Sequence, residues 1–416
     1  MEQTTGTGVS RYIGQGVSLA ALAAACATLV ALALPAGAQT LGEAVARAAE
    51  LDPAITTLRA RGGEVDASRT VAGALFPAPP ALAASLRRDR PDQNLGRNEV
   101  DVDVGLPLWL PGQRDLRARL AEREGEELAT ALAEVHWQLA GRVREAWWAL
   151  AAARAEAAAA QRRTATLVRI EADIARRVAA GVLARADLLL AQSEVAGARA
   201  AADSAAMRVE AATRAWQALT GDTVAPAHAR EAGVAAPADG DAHPALSGAR
   251  SRVELARAQL SLAVGVRRDP PELALQHRSD RDGYGADYRN TVRVALRIPL
   301  GTDARNAPRI AAAGTALAQA EAILLHLRRR LDVDRAHALA ALDAAERQVR
   351  LSSDRLALAR EHEALVERAF AMGEQSLVAL LRSAALREDA QAETERAEIG
   401  VGLMRSRLAQ VSGVMP

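Results

Sequence analysis

Side chains able to make or break bonds are sparse in this chain and poorly spaced for it. Cys26 is the only cysteine in 416 residues, and the seven histidines show no metal-ligand spacing. His326 and His337 lie eleven residues apart in a stretch of helical periodicity and read as surface residues. There is no glycine-rich phosphate loop, no HExxH, no GxSxG elbow and no dinucleotide fingerprint. The expectation is a non-enzyme with no cofactor and no resident metal. The 52 basic residues, all arginine, balance 51 acidic ones to a net charge of +1, so no global field draws nucleic acid. What remains is the chemistry of recognition and passage. It rests on charged side chains along one face of short alternating segments, and on glycines inside stretches that otherwise look helical.

Two such glycines share a context. In "VAAGVLARADLLLAQ", Val178 is followed by two spacers, Gly181 and, seven residues on, Leu188-Leu189. In "RAFAMGEQSLVALLRSA", Phe370, Gly373 and Leu380-Leu381 repeat the pattern. Glycine inside a helix costs about 1 kcal/mol relative to alanine, so a break made twice reads as a reversal point joining two antiparallel helices. A kink in one continuous helix is the alternative.

The flanking elements fit a reversal. Leu116, Leu120, Leu128, Leu132, Val135, Leu139, Val143 and Leu150 step as in a coiled coil, and no proline intervenes from Gln113 to Val178. At 1.5 Å per residue this is a rod of roughly 100 Å. A returning helix runs to Gly221, and a second rod runs from Ala311 through Gly373 to Gly413. Shorter helices are expected over Leu41 to about Leu75 and Pro244 to about Val266. After each comes a pair of alternating segments. Val100, Val102, Val104, Leu106 and Leu108 face one way, against Asp101, Asp103 and Gly105. Val292, Val294, Leu296, Ile298 and Leu300 do the same against Arg293, Ala295 and Arg297. Period two over nine residues is a strand signal. The weaker partners, Leu82-Ala84-Leu86 and Leu273-Leu275-His277, make each pair a hairpin across a polar loop.

The whole is one unit written twice. Pro53 and Pro244 are 191 residues apart, as are the starts of "RRDR" and "RSDR" (Arg87 and Arg278). Pro107 and Pro299, Gly181 and Gly373, and Gly221 and Gly413 are each 192 apart. The expected boundaries are a first repeat over 39–221 with hairpin 81–108, a linker over 222–242, and a second repeat over 243–416 with hairpin 272–300. The linker is rich in proline, glycine, alanine and aspartate. Residues 1–38 read as a signal peptide: Arg11, an apolar run from Val17 to Leu34 holding Cys26, then Ala36-Gly37-Ala38. An uncleaved membrane anchor is the alternative. No later stretch reads as apolar and uncharged for long enough to span a membrane as a helix.

Strands with an oily face and a polar face suit an outer-membrane barrel, but four cannot close one and an open edge cannot sit in lipid. Several chains are therefore expected to share a barrel whose wet lumen is lined by Asp101, Asp103, Arg293 and Arg297. Trp109 follows the second strand and reads as an interfacial anchor. Trp137, Trp147 and Trp148 read as packing anchors, and Tyr284 and Tyr288 fall in an outer loop.

With these marks the chain resembles the outer-membrane efflux protein (TolC-like) family. The duplicated unit, "VGLPLWLPGQRDLRARLAE", and the turn pattern Arg177-Val178-x-x-Gly181 followed by Asp187-Leu188-Leu189 carry the resemblance. The opening of the second copy, "HPALSGARSRVELARAQLSLAVGVRRDPPELAL", looks most like the branch serving heavy-metal pumps of the resistance-nodulation-division class. The resemblance implies a homotrimer in outer-membrane lipid, a twelve-stranded barrel and a periplasmic helical tunnel. The implied partners are a periplasmic membrane-fusion adaptor, docked at the turns, and an inner-membrane pump; nucleic acid is not among them. The implied docking residues are Val178, Gly181, Asp187, Leu188, Leu189, Phe370, Gly373, Leu380 and Leu381. In the family an aspartate at the position of Asp187 closes the aperture against a tyrosine and an arginine. Those positions resemble Phe370 and Gln375 here, so that ionic latch is missing. Acidic positions ringing the family's aperture correspond to Ala379 and Arg382. Three copies of Arg382 facing the lumen would make a cationic constriction favouring anionic cargo; Arg382 facing solvent or pairing between helices is the alternative. The implied function is passive conduction of what the pump exports. The exit duct of a type I secretion system, or a soluble periplasmic coiled-coil scaffold or adaptor, are the competing readings.

Overall fold

The computed structural model describes residues 40–90, 93–226 and 242–416. The expected signal peptide, with Cys26, and most of the expected linker lie outside them. Among the described residues seven helices and four strands follow in the order α1 (Leu41–Leu51), α2 (Pro53–Gly73), β1 (Ala81–Arg88), β2 (Asn98–Pro107), α3 (Gln113–Ala179), α4 (Arg185–Thr220), α5 (Pro244–Gly265), β3 (Glu272–Arg281), β4 (Arg289–Arg297), α6 (Asp303–Ala371) and α7 (Leu377–Val411). The chain is mainly helical with one small sheet.

The first helix expected from the sequence is two. Thr40 and Glu43 form a reciprocal cap on α1, each side chain taking the other's backbone N–H (3.2 and 3.1 Å). The break falls at Asp52, whose extended backbone and carboxylate cap α2 by accepting the Ala54 N–H at 2.8 Å, with Pro53 in the first turn. His243 and Pro244 do the same for α5, where Nδ1 of His243 accepts the Ala245 N–H at 3.2 Å. The paired Asp-Pro-Ala and His-Pro-Ala landmarks are thus helix starts.

The two long rods are α3, of 67 residues, and α6, of 69. Helix α6 begins at Asp303, eight residues before the expected start, and continues through Pro308. Asn306 holds this first part down by donating from Nδ2 to the carbonyls of Arg267 (2.6 Å) and Thr302 (3.0 Å). Helices α4 and α7 run back along α3 and α6, and α3 also packs on α2, α5 and α7.

The main core lies where α1, α2, α3 and α4 meet. Ala44, Val45, Ile55, Leu139, Val143, Leu150 and Trp216 are buried there. The tryptophans pack as expected, and two of them find acceptors: Trp147 donates to the Pro226 carbonyl at 2.9 Å, and Trp137 to the Gln410 carbonyl at 2.8 Å. Gln410 returns a bond to the Trp137 carbonyl at 2.7 Å, fastening the end of α7 to α3. Trp109 is half-buried, its indole donating to Ala74 at 3.1 Å and its ring under Arg117, so it ties the sheet-side end of α3 to α2. His326 and His337 are exposed on α6, as the sequence suggests.

Helix α6 is unlike the others. Across its 69 residues only Asn306, Ala338, Ser352, Leu356 and Phe370 are buried, while Ile323, Val333, Leu351, Leu358 and Leu365 are exposed. It also corrects a sequence expectation. By length and composition it holds a stretch, of mean hydropathy 1.4, apolar enough to cross a membrane, and none of that stretch is buried within the chain.

The strands form a single antiparallel sheet in the order β1-β2-β3-β4. The central pair joins the two halves of the chain, from Asn98 opposite Arg281 to Pro107 opposite Glu272. The outer strands β1 and β4 each leave one edge without a partner.

The cap at His243 makes stability depend on pH. Burial pushes the imidazole below its usual range, and only the neutral ring offers Nδ1 as an acceptor. That contribution is complete above the unfolded value of about 6.5 and is lost as pH falls through the lower folded value. The melting temperature of the purified protein should therefore drop as pH falls below about 6.5. His243→Asn, which keeps a capping acceptor but does not titrate, should flatten that part of the profile.

Candidate functional site

Two places gather the residues singled out by the sequence. One is the face of the sheet opposite the apolar side chains; the other is the end of the rods.

On the sheet, strand alternation separates two chemistries. Leu82, Leu86, Val100, Val102, Leu275, Val292, Val294 and Leu296 are exposed on one face. On the other, Asp101 is 7% exposed and accepts from Arg278 Nε (2.7 Å), Gln276 Nε2 (3.3 Å) and Ser85 Oγ (3.3 Å). Arg278 also reaches Glu99 at 2.9 Å, and Glu99 takes Arg87 at 3.2 Å. Asp103 faces Gln276, which faces Arg293, and Glu272 faces Arg297. Among the described residues Asp103, Arg293 and Arg297 have no ion-pair partner. Sequence reasoning missed Arg278 and Gln276. Their alternation with Leu275 and His277 places them on the polar face, but only the β2–β3 register sets them against Asp101 and Asp103.

At the far end each rod closes in the same backbone pattern. Gly181 has φ of +75° and Gly373 of +80°, a region that costs side-chain-bearing residues energy. The Gly181 N–H donates to the Val178 carbonyl (3.0 Å) and the Val182 N–H to that of Arg177 (2.9 Å). The Gly373 N–H donates to Phe370 (3.1 Å) and the Glu374 N–H to Ala369 (2.9 Å). These are two Schellman caps, satisfying carbonyls that the helix ends leave open. The chain reverses at both glycines, so neither rod is a kinked continuous helix. Asp187 opens the return helix α4 by accepting the Ala184 N–H at 3.2 Å, and Ser376 opens α7 by accepting that of Ala379 at 3.3 Å.

The two reversals are brought together by an apolar cluster. Ile174 from α3, Phe370 from α6, and Leu377 and Leu380 from α7 are buried in it, with Val178, Leu188 and Leu381 packed around them. Phe370 is 6% exposed, its ring beneath the Arg177 guanidinium at 4.9 Å. It is a packing residue. Leu189 is exposed, as are Gly181, Gly373, Gln375 and Arg382. Within the chain Gln375 and Arg382 make no side-chain hydrogen bond or ion pair to described residues.

A charged network that sequence reasoning did not find lies behind the cluster. Arg387 on α7 pairs with Glu363 on α6 at 2.8 Å and with Glu388 at 2.9 Å. Glu388 in turn accepts from Thr166 Oγ1 on α3 at 2.8 Å. Burial works against the charge on Arg387, but Glu363 and Glu388 outweigh it and hold its pKa above the usual arginine value. A groove of about 430 Å³ runs beside this network, lined by Ile170, Asp173, Arg177, Glu363, Glu367 and Phe370 among others. Nothing in the sequence marks these residues, because the network depends on which faces of three helices meet.

This arrangement recurs in known proteins. No family model matches the chain, and no curated protein matches it in sequence. Solved structures do. The chain aligns over 90% of its length with a structure of CusC, described for the changes accompanying its folding and transmembrane channel formation. That alignment covers 92% of CusC at TM-score 0.72 and 14% identity. The outer membrane protein VceC of Vibrio cholerae is covered over 97%, with 90% of this chain, at TM-score 0.70 and 14% identity. The open state of the MtrE outer membrane channel of Neisseria gonorrhoeae is covered over 89%, again with 90% of this chain, at TM-score 0.70 and 17% identity. The chain therefore has the fold of the outer-membrane channels, the architecture that its sequence marks imply.

Removing the ring at the centre of the cluster should loosen the rod ends alone. Phe370→Ala is expected to cost about 3–5 kcal/mol of local stability. Hydrogen exchange should speed up at the amides of residues 368–384 and stay unchanged around Leu139.

Proposed function

We propose that this chain is the outer-membrane channel component of a tripartite efflux system. It conducts passively what an inner-membrane pump delivers through a periplasmic adaptor. The observation that carries this is the four-stranded sheet. It has one exposed apolar face, one polar face and two open edges, and it is joined to rods of roughly 100 Å.

The physical argument runs from the edges. Each strand is 8 to 10 residues long, about the length a tilted strand needs to cross a bilayer. In lipid an unpaired edge is untenable, and about eight strands make the smallest stable cylinder. Three copies supply twelve, with β4 of one against β1 of the next. Asp101, Asp103, Arg293 and Arg297 then line a wet lumen, and the apolar face meets lipid. The exposed face of α6 asks for cover of the same kind, since unburied side chains such as Leu351 and Leu358 form a patch that a monomer in water does not keep. A neighbouring copy covers it while the rods continue the cylinder into the periplasm. The turns at Gly181 and Gly373, with exposed Leu189, Gln375 and Arg382 beside them, are the surface for the adaptor. The structural likeness to outer-membrane channels supports this reading.

A soluble scaffold has no use for exposed Val292 and Val294, which are 69% and 68% accessible. A type I secretion duct would share this geometry and differ only in its partners.

The purified protein should sediment as a trimer in detergent and open water-filled channels in planar bilayers. Recovery as a soluble monomer, or a monomer with a closed conducting cylinder, would refute the reading. Gly181→Pro and Gly373→Pro cannot adopt the positive φ of these turns. Both should leave trimers and bilayer conductance intact while abolishing export in cells; wild-type export from both would remove the turns from adaptor docking.

A further inference from the structure

At the loop end of the sheet the two faces treat arginine differently. On the polar face Arg87 pairs with Glu99, Arg278 with Asp101 and Glu99, and Arg289 with Asp280 and Asp282. On the apolar face alternation continues past Leu86, Val100 and Ser279 to a row made of Arg88, Asn98 and Arg281. This row closes the apolar band at the end carrying the hairpin loops, opposite the helices. With strands spaced about 4.8 Å apart, the Cα atoms of Arg88 and Arg281 stand about 10 Å from each other. Among the described residues neither arginine has a carboxylate partner.

Arg281 is nevertheless held in place. Its Nε donates to the Gly96 carbonyl at 3.1 Å, and its guanidinium lies over the Tyr288 ring at 5.2 Å. Asn98 fixes that ring by donating from Nδ2 to the tyrosine hydroxyl at 2.9 Å. Tyr284, whose hydroxyl bonds Asn94 at 3.0 Å, ties the two loops together behind it. What is left over is the pair of Nη groups on Arg281 and the whole exposed guanidinium of Arg88.

A cation on a lipid-facing strand is costly in hydrocarbon and tolerated at the boundary. An arginine fork left without a carboxylate there matches a phosphate, which it can take bidentately. We infer that Arg88 and Arg281 form a binding site for the phosphate groups of an outer-leaflet lipid headgroup, with Tyr288 as the platform that orients Arg281. The inference rests on the channel reading above, which puts this face in lipid and the loops outward. In an outer membrane the ligand of this chemistry is a phosphorylated glycolipid, of which lipid A serves as the probe.

The test uses the full trimer in phosphatidylcholine vesicles with and without lipid A, followed by native mass spectrometry of the released protein. Wild type should float with the vesicles and retain lipid A in preference to phosphatidylcholine. The double variant Arg88→Gln/Arg281→Gln should still float as a trimer but lose about tenfold in apparent lipid A affinity. Tyr288→Leu should lose less, and Arg293→Gln on the polar face should lose nothing. Retention of lipid A against excess inorganic phosphate is expected; displacement would mean a free-phosphate site and overturn the lipid assignment. A wild-type trimer that floats but shows no preference for lipid A overturns the site and leaves the channel reading standing. A protein that stays soluble overturns both.

Discussion

The unpaired edges of β1 and β4 are the constraint from which the rest follows. Each presents backbone N–H and C=O groups that cost several kcal/mol apiece if left bare in hydrocarbon. Among the described residues nothing covers them: the sheet order ends at β1 on one side and β4 on the other. The exposed side of α6 makes a parallel demand under the proposed reading, since a helix of 69 residues buries only five of them within the chain. Strand edges and rod faces ask for the same remedy, another copy beside the first. The polar side of the sheet, with Asp101 enclosed by Ser85, Gln276 and Arg278, already has the character of an interior wall.

The far end of the rods is built on a different balance. Backbone reversal is settled locally, by one glycine and two hydrogen bonds per turn. What binds the two hairpins to each other is mixed. Ile174, Phe370, Leu377 and Leu380 pack without polar groups, whereas behind them α3 meets α7 through Thr166–Glu388, Arg162–Glu395 and Arg163–Asp389. Ion pairs of this kind contribute little net stability for their number. Their worth lies in fixing one alignment of the hairpins.

Much of this was legible in the sequence, for physical reasons that can be named. Strands β2 and β4 declare themselves because one face is oily and the other is not, so the period of two is strict. The glycine turns stand out because alanine-rich flanks make any breaker conspicuous. Other features depend on information that a linear pattern does not carry. The break at Asp52 is hidden because aspartate before proline marks a landmark without saying that the helix stops and restarts there. The early start of α6 is hidden by Pro308, which is tolerated near a helix end. Asp101 could be put on the polar face, but its partners Gln276 and Arg278 belong to a strand 170 or more residues away, and only the β2–β3 register joins them. The Arg387 network is invisible for the same reason: three helices must meet before Thr166, Glu363 and Glu388 become neighbours. Phe370 was legible as a residue of the turn, but only the meeting of α3, α6 and α7 shows its ring buried with Ile174 and Leu380.

The pairing of β2 with β3 sets an order of events for biogenesis. The helical hairpins are made of contacts close in sequence and can form as soon as each is synthesised. The sheet has no such freedom. Its central ladder waits for residues 272–281, long after 98–107 have emerged. Through that interval the first β-hairpin is an oily ribbon without its neighbour, prone to stick to other chains. Until its partner strand arrives that ribbon needs cover, and the need arises from the topology of one strand pair.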